Sequence, residues 1–236
     1  MDRSEALFRD AIPKSPLGRP ESVALIVVDM QYHDACAERG LTQGMERLVG
    51  GSMSYYGERL KYQTVPAIRT LLEAFRERGM TVVHVVLGSR YRDLRDCPPR
   101  FREWTRNLEK LVGVDDLWWM GNPDFQILDE LKPIHGETVI RKTTNGAFNG
   151  SELDSFLRRN GISTLVLTGV VTSACVDTTA RDAADRGYDC VIVDEGTADY
   201  DRGAHEATLR AFAVNFGSVV ASAQHVVRAL EVGSEV

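Results

Sequence analysis

No stretch of this chain approaches the roughly 20 consecutive apolar residues that a membrane-crossing helix needs. Its longest unbroken apolar run is Val23-Ala24-Leu25-Ile26-Val27-Val28. Cysteine is scarce. Cys36, Cys97, Cys175 and Cys190 form no CxxC and no Cys/His pattern of zinc-finger spacing, which argues against a disulfide framework or a structural zinc site. Neither sign of charge dominates: 28 Lys and Arg stand against 34 Asp and Glu, a net −6 that argues against a nucleic-acid surface. Residues 1–20 mix Asp, Arg, Glu, Lys and Pro and lack the basic-then-apolar order of a secretory signal. The expectation is a cytoplasmic protein with free thiols. Internal repeats, low-complexity tracts and linkers are also missing. A single domain over residues 1–236, with its core at about 20–232, is the better count.

What is present is an alternation. Val23–Val28, Thr81–Val86, Thr138–Ile140, Thr164–Thr168 and Cys190–Val193 are short apolar runs of the kind buried on both faces of a parallel sheet. A weaker run sits at 218–220. Between them, residues 60–78, 151–159, 174–186, 203–215 and 222–232 read as helices, with Gly79 and Gly187 as stops. The pattern predicts an α/β fold: a Rossmann-like open parallel sheet with helices on both faces. Residues 30–59 and 88–121 show no clear period and read as long loops, lid or binding material.

In such a sheet ligands bind beyond the carboxyl ends of the strands, so the residues that follow each run are the ones to inspect. Asp29 ends the first run, where it either caps a loop or acts as a partly desolvated carboxylate. Cys175 lies between a strand and a helix, in Gly169-Val170-Val171-Thr172-Ser173-Ala174-Cys175. Helix-start amides there would favour its thiolate and hold an oxyanion. Lys142 follows Val139-Ile140-Arg141 and leads into Thr143-Thr144-Asn145-Gly146-Ala147-Phe148. A cation there would lower a neighbouring thiol's pKa. Cys190, inside its run, reads as a structural cysteine.

At these residues the sequence resembles the isochorismatase-like cysteine hydrolases. The shared features are Asp29-Met30-Gln31 after an apolar strand, Lys142 before Gly146-Ala147-Phe148, and the Gly-x-x-Thr-x-x-Cys loop ending at Cys175. Thr178-Thr179-Ala180-Arg181-Asp182-Ala183, Arg186-Gly187-Tyr188 and Asp194 extend the match, so that it spans about residues 20–232. The resemblance implies a catalytic Asp29–Lys142–Cys175 triad without a cofactor. It also implies a cis peptide at Val170–Val171, and oxyanion donation from the amides of Val171 and Cys175. It implies hydrolysis of a C–N bond through a covalent thioester-type intermediate. A homodimer or homotetramer is expected, partly from the family and partly from Trp104, Trp118 and Trp119 in the long loops.

The chain also departs from the family pattern. Tyr32 and His33 stand where many members have Asn and Asp. The Asp-x-His metal pair of the nicotinamidase branch is missing, so no metal is expected. His33 reads as a wall residue and His84 as core, while His135, His205 and His225 are read as scattered without shared acidic partners. The ureido and carbamoyl branch, with N-carbamoylsarcosine amidohydrolase and biuret hydrolase, looks nearest. Gln31, Arg202 and Asn215 are its candidate substrate-binding positions. Arg202 would grip a carboxylate or, equally, pair at the surface with Asp199 or Asp201. Trp118 and Trp119 would line the pocket or an oligomer contact. The competing readings are a nicotinamidase-like or other simple amide hydrolase, a non-catalytic subunit of the same fold, and a thiol redox protein.

Overall fold

The computed structural model of the protein describes residues 11–233, except 14, 16 and 18. The polar arm read over residues 1–20 therefore falls largely outside the described residues. In chain order, β1 (Val23–Val28) precedes α1 (Tyr32–Ala35), α2 (Gly40–Leu48), α3 (Ser54–Arg59) and α4 (Val65–Glu77). Then come β2 (Thr81–Leu87), α5 (Pro99–Val112), β3 (Thr138–Lys142), α6 (Leu153–Arg159) and β4 (Thr164–Val170). The chain continues through α7 (Asp177–Asp185), β5 (Asp189–Ala198), α8 (Arg202–Asn215), β6 (Ser218–Val220) and α9 (Ala223–Val232). Single π turns, Leu60–Thr64 and Thr172–Val176, lead into α4 and α7.

The six strands are all parallel and lie in the order β3-β2-β1-β4-β5-β6. Successive side chains on a strand point to opposite faces, and here each face carries its own core. Leu25, Val27, Val166, Val191 and Val193 pack with Ile68, Leu72 and Phe75 of α4 and Val226 of α9. Ala24, Ile26, Leu165, Leu167 and Ile192 pack on the other face with Leu157 of α6, Ala180 of α7 and Phe212 of α8. Burial on both faces is why the strands read as unbroken apolar runs rather than as alternating ones.

The two segments read as loops contain helices. In 88–121, α5 carries Phe101, Thr105, Leu108 and Val112 at helical spacing, starts at Pro99 and stops at Gly113 with φ +64°. Neighbouring Arg, Glu and Trp residues mask that period. In 30–59, Gly40, Gly44 and Gly57 lower helix propensity by about 1 kcal/mol each relative to Ala, yet α2 and α3 form. Packing decides it: a Cβ on Gly44 would stand 2.9 Å from Val112 Cβ, so α2 lies closer to α5 than any larger residue allows. Among the described residues no helix is long and apolar enough to cross a membrane.

Candidate active site

The strand order reverses at the neighbours β1 and β4, and the crevice beyond their carboxyl ends is where an open α/β sheet binds ligands. Asp29 leaves β1 there with φ +51°, a left-handed conformation that few non-glycine residues adopt, and its amide donates to Val85 O at 2.9 Å. Lys142 closes β3, in register with Leu87 of β2. Because β2 separates β3 from β1, and neighbouring strands lie about 4.8 Å apart, a side chain from β3 must be long to reach the end of β1. Lys142 makes that reach. Its Nζ lies 2.7 Å from Asp29 Oδ2 and 3.2 Å from Cys175 Sγ, and donates to Thr144 O at 2.9 Å.

Cys175 rides on the turn after β4. The chain enters that turn at Gly169, φ +109°, where a Cβ would fall 2.0 Å from Val28 O. The Val170–Val171 peptide that follows is cis, as the resemblance implies. Thr179 Oγ1 donates to Cys175 O at 2.7 Å and accepts from Ala147 N at 3.1 Å, which ties the nucleophile turn to the loop after Lys142. Thr178 approaches Gly146, which explains why a small residue stands there.

Asp29 and Lys142 are each 1% exposed and Cys175 7%. Burial raises the Asp29 carboxyl above its ordinary range, Lys142 opposes this and Asp34 adds to it. The Lys142 ammonium meets Oδ2 at 2.7 Å. Lys142 and the Cys175 thiol both reach Asp29 as hydrogen-bond donors, and these contacts oppose the effect of burial on its carboxyl. Burial alone would strip the Lys142 proton, but Asp29 and the sulfur hold it and leave its pKa raised. Burial also raises the Cys175 thiol, Lys142 opposes and Asp29 reinforces. This reverses the expectation of a thiolate-favouring site. The lysine's charge is already matched by Asp29, so no net positive charge remains to hold a thiolate.

Cys175 opens into a cavity of about 690 Å³, while Asp29 and Lys142 lie behind it and do not line it. Val171 does line it. Gln31, Arg202 and Asn215 do not, contrary to the substrate-contact expectation. Gln31 is buried and committed to backbone: Nε2 donates to Phe125 O at 2.8 Å and Oε1 accepts from Leu87 N at 2.8 Å, which braces the end of β1. Arg202 is exposed, with its guanidinium 4.9 Å from the Tyr55 ring centroid. Asn215 lies exposed at the end of α8, its amide donating to Ala211 O at 2.8 Å. Trp118 lines the cavity and Trp119 does not.

His205 is not without an acidic partner. Its Nε2 lies 3.0 Å from Asp194 Oδ1, which Arg59 also holds, and its Nδ1 lies 2.9 Å from Thr172 Oγ1 at the base of the Cys175 turn. Sequence could not show this, because eleven residues and a strand end separate the partners. Sequence reading also missed Asp34, and gave Asp199 only as a surface partner for Arg202 although it is buried. Asp34 Oδ2 accepts from Trp118 Nε1 at 3.0 Å, and Asp199 Oδ2 accepts from Ser173 N at 2.6 Å. Asp199 follows a strand as Asp29 does, but β5 runs on through Glu195-Gly196-Thr197, which hides its end. Among the described residues no group of three or more His, Cys, Asp or Glu is placed to hold a metal ion.

The chain resembles known proteins in sequence and in fold. The chain is 35% identical to ureidoacrylate amidohydrolase RutB of Cronobacter sakazakii over 198 residues, 79% of each protein. A cysteine hydrolase from Pseudomonas syringae superposes with a TM-score of 0.76 at 24% identity, over 94% of this chain and 99% of that one. N-carbamoylsarcosine amidase from Thermoplasma acidophilum superposes with a TM-score of 0.57 at 27% identity, over 84% and 95%. The isochorismatase domain matches residues 23–224, and the chain belongs to the isochorismatase family.

Proposed function

We propose that the protein is a cysteine-dependent amidohydrolase that cleaves a C–N bond of a small ureido, carbamoyl or amide compound. The observation that carries this is Lys142 Nζ, standing within 3.2 Å of both Asp29 Oδ2 and Cys175 Sγ beside a cavity that Cys175 lines. The relatives named as amidohydrolases support the same reaction class.

Asp29 is poised as the base, because the Cys175 thiol donates toward it and burial raises its carboxyl's proton affinity. It takes the Cys175 proton as Sγ attacks the carbonyl carbon. The carbonyl π electrons move to oxygen, where the amides of Val171 and Cys175 would stabilise the charge. Lys142 neutralises the thiolate as it forms. The C–N bond then breaks, the nitrogen takes the proton from Asp29, and ammonia or an amine leaves. Water takes the place of the amine in the cavity and attacks the thioester-type carbonyl as its proton passes to Asp29. The C–S bond breaks and the leaving sulfur takes that proton back, which restores the thiol and the ionised Asp29. A redox role is less well supported, since it leaves Lys142 and Asp29 without a task.

The test is ammonia release across ureido acids, ureas, biuret and primary amides, with intact-mass detection of an adduct on Cys175. Turnover surviving in Cys175→Ala would sink the proposal. We also place the enzyme in the cytoplasm as a homodimer or homotetramer; one monomer peak in light scattering at micromolar concentration would refute the assembly.

A further inference from the structure

The charged groups around the cavity are unevenly distributed. Asp34 and Asp199 line it and are 5% and 3% exposed, and Glu103 joins them at the exposed edge. Arg100 is the one basic residue among the lining residues, and it is exposed on α5. Lys142 offers no counter-charge, because Asp29 already matches it at 2.7 Å and neither lines the cavity. Arg202, the side chain expected to grip a carboxylate, is over Tyr55 instead. Burial and then Asp34 keep the Tyr200 phenol well above its ordinary pKa of 10.0, with Cys175 and then Asp199 adding to the effect.

One wall of the cavity is apolar and flat. Trp104 and Trp118 stack at 5.2 Å between centroids, and Phe101 lies 5.5 Å from Trp118 and 5.7 Å from Trp104. All three line the cavity. Its volume, about 690 Å³, falls within the roughly 300–1,000 Å³ of sites that enclose ligands far larger than biuret.

Resting on the hydrolase reading above, we propose that the substrate is an uncharged ureido or amide compound with a flat apolar substituent, and that a carboxylate on the substrate is rejected. An entering carboxylate would face Asp34 and Asp199, and among the described residues no buried basic side chain lines the cavity to compensate. His33, whose Nδ1 lies 3.0 Å from Asp34 Oδ2, stands behind the wall and does not line it. Like charges brought together in a site shielded from water repel far more strongly than in bulk solvent. The amide hydrogens of an uncharged ureido group find acceptors in the same carboxylates, and the aromatic wall takes the flat substituent.

Benzylurea and N-carbamoylphenylglycine differ by one carboxylate, and they make the test. Binding is followed by tryptophan fluorescence in the full-length Cys175→Ser protein, and turnover by ammonia release in the unmodified protein. Benzylurea should bind at least 30-fold more tightly and, where turned over, show at least 100-fold higher kcat/KM. Asp199→Asn should narrow the binding ratio at least fivefold, biuret should bind more weakly than benzylurea, and Arg202→Ala should leave the ratio unchanged. Equal or tighter binding of N-carbamoylphenylglycine, binding of neither compound, or a ratio that depends on Arg202 would overturn the proposal. Selective binding without turnover of any amide or urea would overturn the hydrolase reading and leave the charge selection standing.

Discussion

Lys142 Nζ lies 2.7 Å from Asp29 Oδ2, and both side chains are sealed from water. Each charge is tolerable only because of the other. Lys142→Met keeps the volume and strands a buried carboxylate, so it should lower stability by about 3–5 kcal/mol as well as abolish turnover. Asp29→Leu combined with Lys142→Met should recover much of that stability and none of the activity. Urea unfolding of the two single variants and the double variant measures the coupling. Purely additive losses would contradict a mutually dependent pair.

The raised Asp29 carboxyl has a readable sign. The base must be ionised to accept a proton, so kcat/KM should fall as pH drops through a midpoint above the ordinary carboxyl value of 3.8. The raised Cys175 thiol predicts that alkylation by iodoacetamide climbs with pH through a midpoint above the ordinary 9.0. A pH–rate profile and an alkylation series check both. An alkylation midpoint below neutrality would mean that Lys142 outweighs burial.

Gly169→Ala should be among the most damaging single substitutions in the chain. Its Cβ would fall 2.0 Å from Val28 O at a φ of +109°, and neither β1 nor β4 can move without disturbing Asp29 or Cys175. A loss on the order of 3 kcal/mol or more is expected. Gly187→Ala, at φ +87° with open space around it, should cost only about 1 kcal/mol. Thermal and urea unfolding distinguish the two. Similar losses would show that backbone conformation, rather than close approach, sets the requirement at Gly169.

His205 and Asp194 are placed to hold the nucleophile turn through Thr172. Thr172→Val removes that hydroxyl with little change in volume. It should lower kcat on the order of ten- to a hundredfold by displacing Cys175, with KM nearly unchanged. Thr172→Ser, which restores the hydroxyl, should recover most of the rate. Loss of stability with kcat intact would make the chain of bonds structural only.

How much of this was legible in sequence differs from element to element. The run Val23–Val28 marks its own strand because both faces are buried, and Asp29, Lys142 and Cys175 are visible as the residues that follow such runs. The α5 helix escaped because its apolar stripe is interleaved with Arg and Trp residues, and α2 escaped because its glycines mark close packing rather than a loop. Arg202 and Asn215 stand at positions the family pattern favours, yet α8 carries both away from the cavity.

The sequence by itself determined which segments are strands, because burial on both faces leaves unbroken apolar runs, and its resemblance to the family singled out Asp29, Lys142 and Cys175 as the candidate triad. Only the tertiary structure decided the charge state of the site and the lining of its cavity. Those depend on distances between residues far apart in the chain. Lys142 reaches past β2 to Asp29, Asp34 meets Trp118 across 84 positions, and burial sets the thiol's proton affinity only once every neighbour is in place.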